Sequence, residues 1–144
     1  FVAYPDSHPR YSSVFIVRPD GSEQRELSGD GFGADFPAWS PDGRQLAFDS
    51  YGPDRYGNLF VMELSGGALR QLTDEEARGG ITPAWSPDGQ WIAFSSDRTG
   101  SESSPQFELR IVPAADDQTQ PVTIMDDLFF LARPSWRPGT ANQG

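Results

Sequence analysis

Apolar residues in this chain come in short runs rich in Val, Ile, Leu and Phe, each closed by Gly, Pro, Asp or Ser. That grammar predicts β-strands separated by tight turns. The runs include Val14-Phe15-Ile16-Val17, Leu46-Ala47-Phe48, Leu59-Phe60-Val61-Met62, Ile92-Ala93-Phe94 and Leu109-Arg110-Ile111-Val112. The one stretch with any helical periodicity lies around Asp74 to Arg78. The expected fold class is all-β.

The runs are organised by an internal repeat. Ala38-Trp39-Ser40-Pro41-Asp42-Gly43 returns 46 residues later as Ala84-Trp85-Ser86-Pro87-Asp88-Gly89, and a degraded copy, Ser135-Trp136-Arg137-Pro138-Gly139, follows after a further 51. Val2-Ala3-Tyr4 matches Leu46-Ala47-Phe48. Glu26-Leu27, Leu69-Arg70-Gln71-Leu72 and Val122-Thr123-Ile124 form a fourth recurring segment. In Ser-Pro-Asp-Gly, Pro presets φ at the second position and Gly takes the left-handed position that closes a hairpin; Arg18-Pro19-Asp20-Gly21 repeats the device. Four strands per unit at this period predict β-propeller blades.

Trp-Ser-Pro-Asp-Gly-x-x-(Ile/Leu)-Ala-Phe, followed by a strand like Asn58-Leu59-Phe60-Val61-Met62 and a Gly-Gly-x-x-x-x-Leu-Thr strand, resembles the TolB-type propeller repeat, which also builds the non-catalytic propellers of prolyl-oligopeptidase-like peptidases. The resemblance covers nearly the whole chain. It implies a propeller that binds protein partners at its channel mouth and a periplasmic or secreted location. It is specific for fold and only weakly so for function.

With strands lettered a to d outward from the channel, the tally is bcd, abcd, abcd, a: twelve strands, or three blades per chain. The expected units are residues 1–30 (b, c and d of an incomplete blade), 36–73 and 82–125 (two full blades), and 132–137 (a closing a strand), together a half-propeller over 1–139 with a polar tail at 140–144. Three blades fall short of the usual four to eight, so two copies are expected to close a six-bladed homodimer, each final strand completing the other chain's first blade. The alternative is a fragment of a longer propeller; the first residue is Phe1 rather than Met and no leader follows it, as for a leader absent or already removed.

A formal net charge of −10, from 11 basic and 21 acidic residues, argues against nucleic acid or anionic membrane as a partner, and no apolar run is long enough to cross a bilayer. The absence of Cys removes disulfides, thiolate metal sites and cysteine nucleophiles. Every basic residue is Arg. No cofactor and no metal are expected.

Trp39, Trp85 and Trp136 hold one place in every unit and are expected to pack between blades rather than stack on a ligand. Asp42 and Asp88, with Gly43 and Gly89, are expected to build the turns rather than ligate metal. His8, the single histidine, lies in a Pro-rich loop; no Gly-x-Ser-x-Gly elbow or catalytic triad is readable. The remaining candidates are loops on the channel-mouth face: the b–c loops Asp6 to Ser13, Asp49 to Asn58 and Ser95 to Gln106, and the d–a loops carrying Asp30, Phe32, Asp35, Asp74, Glu75, Glu76, Arg78, Asp126, Asp127, Phe129, Phe130 and Arg133. Tyr and Arg are favoured at interface centres, so Tyr51, Arg55, Tyr56, Arg98, Arg78, Arg133 and His8 are the expected partner-binding residues. The excess of carboxylates on the d–a side favours a cationic or mixed-charge ligand. The expected function is a non-enzymatic binding or scaffold propeller for a peptide or protein. The alternatives are a gating module of a larger hydrolase or peptidase, and a carboxylate- or metal-dependent propeller enzyme.

Overall fold

The computed structural model describes residues 1–7, 12–27, 33–51, 56–74, 77–78, 81–97, 106–115, 119–128 and 133–137. Every ladder is antiparallel. The first sheet has the order β1 (Val2–Ser7), β2 (Ser12–Val17), β3 (Arg25–Glu26). The second runs β4 (Gly33–Trp39), β5 (Gln45–Tyr51), β6 (Tyr56–Glu63), β7 (Leu69–Gln71), with β8 (Ala77–Arg78) also paired to β6. The third runs β9 (Ala84–Trp85), β10 (Trp91–Asp97), β11 (Phe107–Pro113), β12 (Val122–Leu128). Consecutive strands pairing in meander order is the arrangement of propeller blades.

One local expectation is corrected, the extent of the loops. In the stretch around Asp74 to Arg78, the described residues Ala77 and Arg78 lie opposite Gly57 and Tyr56 in a ladder. The hairpin ladders run further than their apolar runs, so Asp49 to Tyr51, Tyr56 to Asn58, Ser95 to Asp97, Asp35 and Asp126 stand in strands rather than loops. Residues 133–137 form no ladder with any described residue of this chain.

The Ser-Pro-Asp-Gly hairpins have one construction. Gly43 donates its N–H to the Ser40 carbonyl at 2.9 Å and has φ 68°; Gly89 does the same to Ser86 with φ 71°. The Ser40 hydroxyl donates to Asp42 Oδ1 at 2.6 Å, which also accepts from the Arg44 N–H at 3.0 Å. Asp88 accepts from the Ser86 hydroxyl and the Gln90 N–H in the same way. These bonds, led by the serine hydroxyl, hold both carboxyls below the usual carboxylate range.

Strand alternation gives each sheet two faces, and both faces of the second sheet are apolar. Ala47, Leu59 and Val61 meet Ile92, Phe94 and Val112 of the third sheet. Leu46, Phe48 and Met62 meet Val14 and Ala3 of the first. Each tryptophan of the repeat packs backward. Trp85 Nε1 donates to the Ala38 carbonyl at 3.0 Å, and Trp136 Nε1 donates to the Ala84 carbonyl at 2.9 Å. Trp39 packs against the core between the first two sheets.

Removing only the indole donor deletes the bond to the Ala38 carbonyl at a junction where Trp85 is 9% exposed. Trp85→Phe is expected to lower stability by about 1–2 kcal/mol, read as a lower urea midpoint with unchanged slope. The same change at Trp91, 37% exposed, is expected to cost less than about 0.5 kcal/mol.

Candidate functional site

The strands β4 and β9 stand at one edge of their sheets and lie against each other. Immediately before each repeat tryptophan the sequence reads Phe36-Pro37-Ala38, Thr82-Pro83-Ala84 and Arg133-Pro134-Ser135. The fold gathers these three equivalent positions around one cavity of about 140 Å³, lined by Phe36, Pro37, Thr82, Pro83, Arg133 and Pro134. Pro at each second position rigidifies its wall. The Arg133 guanidinium sits over the Phe36 ring, 5.7 Å from its centroid, a cation–π geometry. Phe36 has φ 53°, uncommon and costly for a bulky residue, and the β4–β5 register shifts between Asp35 and Ala38. The bulge turns Phe36 toward the cavity instead of continuing the ladder.

Behind Phe36 lies a buried polar group. Asp35 and Asp49 are directly opposite in the β4–β5 ladder. The Tyr51 hydroxyl donates to Asp35 Oδ2 at 3.1 Å. Asp49 is 2% exposed; its Oδ2 accepts from the Ile81 N–H at 3.1 Å, while Oδ1 has no partner among the described residues. Burial, reinforced by the Asp35 charge and opposed by the Ile81 bond, pushes the Asp49 carboxyl up to about 7. A Cβ at Gly57 would run into this carboxyl group, and one at Gly33 into the Tyr51 ring; close approach requires both glycines.

The family described as TolB beta propeller domain matches residues 1–141. The chain belongs to that family. No curated protein matches its sequence. Among solved structures, a putative TolB from Agrobacterium tumefaciens superposes with TM-score 0.76 at 21% identity, over 94% of this chain and 50% of that one. TolB from Acinetobacter baumannii gives 0.66 at 20% identity, over 85% and 30%. Oligogalacturonate lyase from Vibrio parahaemolyticus gives 0.60 at 16%, over 88% and 36%. At these identities the likeness is one of fold, and the chain spans half the length of the Agrobacterium protein.

Against this TolB-type frame, Arg133 stands at the cavity with Phe36 and Thr82. Tyr51 lies behind it, its hydroxyl engaged by Asp35. Tyr56 and Arg78 are brought together as opposite backbone partners in the β6–β8 ladder. His8, Arg55 and Arg98 lie outside the described residues, as do Asp30, Phe32, Glu75, Glu76, Phe129 and Phe130. Phe36, Thr82 and Asp49 were not singled out by sequence, although the thrice-repeated x-Pro before the tryptophan was available as a signal for the first two. Among the described residues, no three His, Asp or Glu side chains converge in a metal-binding group.

The Asp49 carboxyl has a pH consequence. Its folded value of about 7 stands above the ordinary 3.8, so the folded chain binds the extra proton between those limits and stability declines as pH rises from about 4 to 7. Asp49→Asn keeps an acceptor for the Ile81 N–H and removes the titration. It is expected to flatten that decline and to stabilise the protein at pH 8 by a few kcal/mol, on the order of 2–4, measured by denaturant titration at several pH values.

Proposed function

We propose that this chain is half of a six-bladed, non-enzymatic TolB-like binding propeller, closed by a second copy, that holds a peptide or protein partner at the mouth lined by Phe36, Thr82 and Arg133. A periplasmic or secreted location accompanies this reading, on the strength of the family alone. The observation that carries it is the convergence of three equivalent repeat positions on one cavity, where the repeat has been diversified into an aromatic, a hydroxyl and a cation. A rigid sheet scaffold with varied residues at one edge is how propellers and similar folds present binding surfaces.

The outer faces support closure. On the first sheet Val2 is half exposed and Phe15 and Val17 are partly so, although their repeat equivalents Leu46, Phe60 and Met62 pack against a neighbouring sheet. On the third, Val122 and Met125 are exposed beside Ile111 and Leu109. The indole bonds give the closure a register. Each acceptor is the carbonyl one residue before the tryptophan of the preceding sheet. Among the described residues, Trp39 Nε1 has no partner and no strand pairs with the outer edge of β1. A partner copy laying residues 133–137 along β1 would bring its Ser135 carbonyl to Trp39. The coverage of only half the Agrobacterium protein favours the other source of missing blades, further units in the same polypeptide.

Light scattering separates these. Two-copy closure is expected to give about twice 15.8 kDa, whereas a folded monomer at that mass overturns it. For the binding function, peptides selected from a random display library are expected to lose at least about tenfold in affinity on Arg133→Ala and to be unaffected by Arg25→Ala on the remote strand β3. Selected peptides indifferent to Arg133 would refute the assignment of the mouth.

A further inference from the structure

The geometry points to a carboxylate as the group this cavity recognises: an acidic side chain or a free C-terminus of a peptide, held by Arg133 beside Phe36. The inference rests on the preceding reading of this edge as a binding mouth and reverses the ligand charge expected from the loop composition. The acidic loops set a long-range potential, but recognition is decided by the groups that touch the ligand, and the described lining contains one ionisable side chain, Arg133.

Three features converge on that assignment. First, no carboxylate among the described residues pairs with the Arg133 guanidinium, which lies on the face of Phe36. A guanidinium laid on an aromatic ring has its orientation fixed while its N–H fork stays free at the rim, and that fork matches a planar carboxylate in bidentate fashion. Second, the two acids behind Phe36 are engaged elsewhere: Asp35 accepts from Tyr51, and Asp49 accepts from Ile81 on the buried side. Third, about 140 Å³ is the scale of one side chain. Its walls of Phe36 and three prolines suit an apolar stem, and buried Thr82 lines it beside them. The left-handed backbone at Phe36 is held in place to present that ring.

The test uses the full chain and three fluorinated probes of similar shape followed by fluorine NMR: 4-fluorophenylacetate, 4-fluorophenylacetamide and 4-fluorobenzylammonium. The carboxylate is expected to bind about tenfold or more tighter than the amide and the ammonium, and to weaken with salt. Arg133→Gln is expected to bring the acid down to the amide, and Arg133→Lys to retain part of the preference because charge remains while the fork is lost. Arg133 is exposed, so neither variant removes a core contact; unchanged circular dichroism checks this. Equal binding of the three probes, preference for the ammonium, or acid binding unaffected by Arg133→Gln would overturn the inference. Two acetylated peptides then distinguish the sources, one with a free C-terminus and neutral side chains, the other amidated with an internal Glu; binding of either identifies the source, and binding of neither overturns the peptide assignment. Display-selected peptides that need Arg133 but tolerate Glu→Gln and amidation would leave the binding function standing and remove the carboxylate. Acid-selective probes without any Arg133-dependent peptide would do the reverse.

Discussion

One contact organises this molecule: a sheet presses its apolar face on the next, and a tryptophan from the later sheet donates its indole N–H to an inner-edge carbonyl of the earlier one. Trp85 to Ala38 and Trp136 to Ala84 are successive instances at nearly the same distance. The indole supplies a large apolar surface and satisfies a backbone acceptor at once, which few side chains do. Because donor and acceptor belong to consecutive repeats, the bond fixes register as well as spacing. The inner edge, and the cavity on it, inherits its geometry from that repetition. A wall built of three copies of x-Pro can be varied at x without disturbing the frame.

The blade architecture was readable because its determinants are local and repeated. Ser40-Pro41-Asp42-Gly43 and Ser86-Pro87-Asp88-Gly89 carry the turn in their own side chains, and the structure gives both the same three-atom pattern of serine hydroxyl, aspartate carboxylate and following amide. Strand ends were less legible. Asp49, Ser50 and Tyr51 look like loop residues by polarity, yet they continue the β5 ladder, because pairing with β4 and β6 outweighs the preference of Asp and Ser for turns. The same pairing places Ala77 and Arg78 in a two-residue strand on β6. Non-local pairing decided both cases, and a local reading of the sequence does not contain it.

The site was half legible. Arg133 stood out as a cation near an aromatic-rich loop, but its partner Phe36 was hidden inside an apolar run and is turned outward by a bulge and a left-handed φ that the sequence does not announce. Asp49 was hidden differently. Its burial comes from Ile81 and Gly57, which approach from another strand and another sheet connection. Charge counting pointed to a cationic or mixed-charge ligand, since the loops are acidic; the single ionisable group on the described cavity wall is an arginine. Composition describes the far field of a protein, and a ligand is selected by the near one.

If tryptophan-to-carbonyl stacking continues around a closed ring, Trp39 has the same role as Trp85 and Trp136 and lacks only its acceptor within the chain. Indole N–H exchange in the ¹⁵N-labelled protein, resolved residue by residue, tests this directly. The account expects Trp39, Trp85 and Trp136 to be protected, with the exposed Trp91 exchanging fast, and expects Trp39 to lose its protection on dilution into monomer. Trp39 exchanging as fast as Trp91 at concentrations where Trp85 and Trp136 are protected would contradict closure by a second copy.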